Sequence, residues 1–81
     1  MKKIAFTAQA RADVRRLDIP TAMRIFAALH RFAQTGEGDI KKLKGDTEDC
    51  RLRVGDYRVR FTADAESVTV QRVLHRSEAY R

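Results

Sequence analysis

The chain has 81 residues, 43% of them hydrophobic, with 17 Lys and Arg against 11 Asp and Glu and a formal net charge of +6. That length holds one small domain over residues 1–81, and the apolar share excludes a disordered tail. A basic small domain points to nucleic acid, an acidic protein or an acidic membrane surface. The membrane is the weakest of these, because no apolar run approaches a bilayer span and no signal-peptide core follows Met1.

Residues 2–7 read as a short strand with Ile4 and Phe6 on one face. Thr7 is the N-cap of a helix over 8–17, whose apolar stripe is Ala10, Val14 and Leu17. Ile19-Pro20-Thr21 breaks that helix, and Pro20 suits the first turn of a second one. The second helix runs to about Gln34 with Ala22, Ile25, Phe26, Leu29, Phe32 and Ala33 on its apolar face, and Gly36 and Gly38 end it. His30 lies off that stripe and reads as a surface residue. Ile40 to Lys44 is a strand or extended segment, followed by a polar turn over 45–49.

A hairpin then covers 50–62. Charged and apolar residues alternate on both sides of Gly55-Asp56, and a two-residue Gly-X break fixes the register. Val54 faces Tyr57, Arg53 faces Arg58, Leu52 faces Val59 and Arg51 faces Arg60. Opposed side chains share a face, so Leu52, Val54, Tyr57, Val59 and Phe61 form the core side. Arg51, Arg53, Arg58 and Arg60 form the other, with no Asp or Glu interleaved among them. Like charges in direct opposition are destabilising, and an anionic partner accounts for them better than the alternative, a solvated outer face, which would mix signs.

Cys50 is the only cysteine, so no disulfide forms within the chain, which fits a reducing cytoplasm. It is in phase with Leu52 and reads as a buried structural thiol. His30 and His75 show no metal-site spacing. Residues 63–66 are a second turn and 67–75 the last strand. Val68 and Val70 point one way and Val73 the other, so the strand needs a β-bulge near Gln71 or Arg72. The order, one strand, two helices and then three or four strands, is an α+β fold. A small antiparallel sheet carries the two N-terminal helices on one face (β-α-α-β-β-β).

The runs "LKG", "RLRVGDYRVRF" and "VTVQRVLHRSEAYR" resemble the RelE/ParE superfamily of bacterial type II toxins over essentially the whole chain, most specifically in "GDYRV" and "HRSEAY". The resemblance implies a toxin held by a cognate antitoxin. In the RelE-like branch it implies a ribosome-dependent endoribonuclease that cuts mRNA in the A site and inhibits translation, without metal or cofactor. It also implies a cytoplasmic protein that meets operator DNA only through the antitoxin complex. On this resemblance Arg58 and Arg76 stabilise the transition state and Tyr80 is the general base; His75, read from imidazole chemistry, is an acid or alternate base. Arg51, Arg53, Arg60, Lys42 and Lys44 bind RNA, with Lys41 on the same basic edge. Arginines at 51 and 53 can only stabilise charge, because a guanidinium does not release its proton. A free tyrosine loses its proton only near pH ~10, and neighbouring arginines favour the phenolate. The chain ends one residue after Tyr80, so a C-terminal helix of the kind some relatives carry is not expected. Two other readings stand beside this one: a ParE-type poison of DNA gyrase without nuclease activity, and an inactive member that only binds its antitoxin.

Overall fold

The computed structural model describes residues 1–43 and 49–79. The elements run β1 Lys3–Phe6, α1 Ala8–Arg15, α2 Ile19–Thr35, β2 Ile40–Lys42, β3 Asp49–Val54, β4 Tyr57–Ala63, β5 Ser67–His75 and α3 Arg76–Ala79. The five strands form one sheet in the order β1-β5-β4-β3-β2. All neighbours are antiparallel except β1 and β5, which are parallel. This is the expected α+β architecture, with the extended stretch after Asp39 forming an edge strand. The sequence reading did not anticipate the helical turn α3.

Local chemistry sets the helix ends. The Thr7 side chain accepts the N–H of Ala10 at 3.1 Å, as an N-cap should. Asp18 caps α2 by accepting the Thr21 N–H at 3.3 Å, with Pro20 in the first turn. Gly36 closes α2 at φ 79°, in the left-handed region where glycine carries no Cβ penalty, and its N–H donates to Phe32 O at 2.8 Å. Helix α1 ends two residues earlier than the apolar stripe implied. Arg16 is its cap, and Leu17 only donates back to Val14 O at 3.0 Å.

The core lies between the helices and one face of the sheet. Ala10, Ile25, Leu29 and Ala33 from the helices meet Leu52, Val59, Phe61, Val68, Val70 and Val73 from the strands. Fully burying each large apolar side chain contributes about 1.5–3 kcal/mol. Phe26 belongs to the expected stripe of α2 but is 38% exposed, and Met23 and Ile19 are more so. Phe6 meets the Phe26 ring edge-on at 5.8 Å.

Both predictions of strand register hold. The β3–β4 ladder pairs Val54 with Tyr57, Arg53 with Arg58, Leu52 with Val59 and Arg51 with Arg60. Gly55 has φ +58° while no described non-glycine has positive φ, the signature of a type II′ turn. On β5, Val70 pairs with Phe61 and Arg72 with Arg60, leaving Gln71 as the extra residue of a bulge. That one insertion is what returns Val73 to the core.

Candidate nucleic-acid interface

The exposed face of the β3–β4 hairpin and the edge strand β2 build a basic hollow of about 190 Å³ lined by Asp39, Lys41, Arg51, Arg53 and Arg58. Four cations thus surround one carboxylate. The hollow follows from register. Lys41 pairs with Arg51 in the β2–β3 ladder, so the alternate residue Asp39 comes opposite Arg53. The Arg53 N–H donates to Asp39 O at 2.9 Å, and its Nε meets Asp39 Oδ2 at 2.6 Å. The arginine face therefore is not free of acid, contrary to the hairpin sequence read by itself. The missing carboxylate comes from outside the hairpin.

Arg58 behaves differently from its opposite number. It is 8% exposed, and its Nη1 donates to Gly55 O at 2.9 Å and Tyr57 O at 3.0 Å. The guanidinium is thus held against the carbonyls of the hairpin turn. Arg76 is exposed and opens α3, and its backbone N–H donates to Asp56 O at 2.7 Å. The same turn therefore anchors Arg58 by side chain and Arg76 by main chain. Arg24 of α2 supports the turn from the helical side: a Cβ on Gly55 would come 3.0 Å from its Nη2.

The other expected residues divide. Arg51 and Arg53 join Arg58 in the hollow. Arg60 is exposed on the same face, opposite Arg51 and Arg72, and stands outside the hollow. Lys42 pairs with Cys50, in phase with Leu52, so it belongs to the helix side of the sheet and Lys41 takes its place among the arginines. His75 pairs with Tyr57 and shares the core side too, its ring edge-on to Tyr57 at 5.4 Å. Its Nδ1 accepts the Ser77 N–H at 3.2 Å, which leaves Nε2 to carry the hydrogen of the neutral ring. The structure does not bring His75 to the hollow. Lys44 and Tyr80 lie outside the described residues.

One charged residue escaped the sequence reading. Asp13 of α1 has a fully buried side chain. Burial, the largest single influence on it, disfavours its charge. The Arg72 hydrogen bond, the Val73 N–H, the Arg72 charge and the Arg16 hydrogen bond together outweigh that and hold the carboxyl below its usual range. The signal was present: Asp13 falls inside the stripe Ala10, Val14, Leu17 at helical spacing, where an acid has to be paired.

Comparison with known proteins places this fold. The family described as ParE toxin of type II toxin-antitoxin system, parDE, matches residues 4–80. A 42-residue stretch is 43% identical to the toxin RelE3 of Methanocaldococcus jannaschii, over 52% of this chain and 48% of that protein. The match thus spans about half the length of that curated relative. The RelB-RelE antitoxin-toxin complex of Methanococcus jannaschii superposes with a TM-score of 0.78 at 26% identity, over 94% of both chains. The toxin-antitoxin complex RelBE2 of Mycobacterium tuberculosis gives 0.67 at 28% identity, over 91% of this chain and 96% of that one. With a family match over nearly its whole length and a sheet that superposes on RelE-type chains, this chain belongs to the ParE toxin family, within the RelE/ParE superfamily of type II toxins.

Proposed function

We propose that this toxin is a ribosome-dependent endoribonuclease that cleaves mRNA and so inhibits translation. The observation that carries the reading is the hollow itself, with Lys41, Arg51, Arg53 and Arg58 converging on a space of about 190 Å³ at the exposed side of the sheet. Such a cluster is an electrostatic footprint for phosphates. The likeness to proteins named RelE adds to it.

RNA brings its own nucleophile. In the proposed reaction Tyr80, as its phenolate, takes the proton of a 2′-OH, and the 2′-oxygen attacks the adjacent phosphorus. The P–O5′ bond then breaks, and the 5′-oxygen leaves with a proton taken from water or from the Lys41 ammonium, since the arginines do not release theirs. The products are a 2′,3′-cyclic phosphate and a 5′-hydroxyl. Arg58 and Arg76, both tied to the hairpin turn, stabilise the charge that gathers on the phosphoryl oxygens. Arg51, Arg53 and Lys41 grip flanking phosphates, with Arg60 extending the track; these contacts give affinity and little sequence choice. His75, on the other side of the sheet, has no part in this scheme.

The cognate antitoxin would cover two separated surfaces. One is the arginine hollow. The other is an apolar groove of about 350 Å³ between α1 and α2, lined by Phe6, Val14 and Phe26 and rimmed by Arg11 and Arg15. The hollow is built on the strands and the groove on the helices, so one antitoxin chain that reached both would wrap around the domain.

A second reading, poisoning of DNA gyrase, draws on the family description, which names the ParE toxin. Controlled expression without antitoxin separates the two. Mapped mRNA 5′ ends at ribosome-occupied codons support the nuclease. Intact mRNA with an induced DNA-damage response overturns it.

A further inference from the structure

Asp13 plays no part in that chemistry, yet with Arg58 it is one of two charged residues buried among those described. Burying a carboxylate is costly unless donors surround it. Four N–H groups do: Arg72 Nε at 2.8 Å, Arg72 Nη2 at 3.3 Å, Arg16 Nη2 at 3.0 Å and the backbone N–H of Val73 at 2.9 Å.

The Val73 bond explains why an acid stands there. Strand β1 supports β5 only from Ser67 to Val70. At Thr7 the chain leaves the sheet for α1, and the β1 side of β5 loses its neighbour. The first helix then continues the ladder. The Thr7 N–H donates to Val70 O at 3.0 Å, Thr7 Oγ1 donates to Gln71 O at 3.1 Å, and Asp13 Oδ2 accepts from Val73. The bulge at Gln71 puts Arg72 opposite Arg60, and its guanidinium grips the same carboxylate. Beyond this point β5 runs two residues further and enters α3, where Arg76 docks on the turn.

We propose that Asp13 is a positioning residue: its carboxylate replaces the missing strand beside Val73 and, with Arg72, sets where the end of β5, α3 and Arg76 lie relative to the arginine hollow. The part of this statement that concerns cleavage rests on the nuclease reading; the part that concerns the main chain does not.

Two variants of the full chain test it, Asp13→Asn and Arg72→Gln, with Arg16→Gln as control because the Arg16 side chain is 68% exposed. Amide hydrogen exchange followed by NMR is the first readout. Removing a charge-assisted hydrogen bond should speed exchange at Val73 and Arg76 by at least about 10-fold more than at Val68 and Val70, which β1 holds and which follow only the loss of global stability. Acceleration spread evenly over β5, or none at Arg76, overturns the inference. Cleavage of ribosome-bound mRNA is the second. Misplacement of Arg76 should lower kcat about 100-fold with KM nearly unchanged, since the hairpin cations still bind RNA. If the wild type cleaves and Asp13→Asn matches it, the positioning role falls and the nuclease stands. If the wild type cleaves nothing, the nuclease reading falls and the exchange pattern decides alone. Should Asp13→Asn fail to fold, Arg72→Gln decides, because it keeps the Asp13–Val73 bond and should show the same pattern more weakly.

Discussion

Arg53 and Arg58 stand directly opposite each other across β3 and β4, and their guanidiniums turn to different acceptors: Asp39 for Arg53, the carbonyls of Gly55 and Tyr57 for Arg58. Each of the two opposed cations thereby has its own oxygen acceptors. The two differ in how readily they can be drawn to a phosphate. The Arg53–Asp39 pair is more than half exposed on both sides, and such pairs contribute at most about 1 kcal/mol. Arg53 is therefore easily released. Arg58 is held in a buried setting.

Replacing Asp39 with Asn should strengthen RNA binding a few-fold at low salt. It removes the carboxylate that competes with phosphate for Arg53. If Arg53 then takes up one more phosphate, the slope of log K against log salt should steepen by about 0.7. Binding measured across a salt series checks this. Weaker binding would mean that Asp39 orients Arg53 rather than competing for it.

Arg58→Ala should lower cleavage by about 100–1000-fold, the usual cost of losing one donor aimed at a reacting oxyanion. It should also lower stability by about 1–3 kcal/mol, because two turn carbonyls lose their buried donor. Single-turnover cleavage and urea unfolding report the two effects separately. A stability loss with undiminished cleavage would leave Arg58 a structural residue only.

Tyr80→Phe and His75→Gln should part company. If the Tyr80 hydroxyl is the base, its loss costs about 100–10,000-fold. His75 faces Tyr57 on the core side, so His75→Gln should leave cleavage nearly intact. The opposite pattern in a cleavage assay would transfer the base to His75.

Acid should destabilise the protein partly through Asp13. Its carboxyl titrates lower in the folded chain than in the unfolded one, so its contribution is complete above the ordinary carboxylate range and disappears as pH falls through the folded value. Asp13→Asn should therefore flatten the loss of stability below about pH 4, while costing about 1–3 kcal/mol at neutral pH, because the arginines it leaves behind reach solvent. Urea midpoints from pH 2 to 7 would show both.

Antitoxin binding should raise the melting temperature, since a partner selective for the folded state adds about 2.7 kcal/mol at 100 times its Kd. A peptide that covers only the groove at Phe6, Val14 and Phe26 should stabilise the toxin but leave RNA binding at Arg51 and Arg53 intact. Thermal melts with RNA competition test this separation.

The hairpin, its register and the bulge were legible because period-two alternation and a Gly-X turn are local signals. So were the capping at Thr7 and the end of α2 at Gly36. The pairing of β1 with β5 was not, since parallel partners 64 positions apart leave no local trace. The same limit hid Asp39. Its place beside Arg53 follows only once Lys41 is known to face Arg51, and that register also moves Lys42 to the other side. Asp13 was locally visible as an acid in an apolar stripe, but its partners Arg72 and Val73 were not.

The parallel pairing has a consequence for how the molecule is made. β1 is synthesised first, and its sheet neighbour β5 is the last strand to appear. α1 and α2 therefore exist before the sheet that covers their apolar faces, and Asp13 waits, solvated, for Arg72. Contacts of such long sequence separation close late and slow the search for the native state. A nascent chain caught at that stage exposes Ile25 and Leu29 as a greasy helical hairpin. A partner that covered those helices during synthesis would act as a chaperone before it acted on the folded domain.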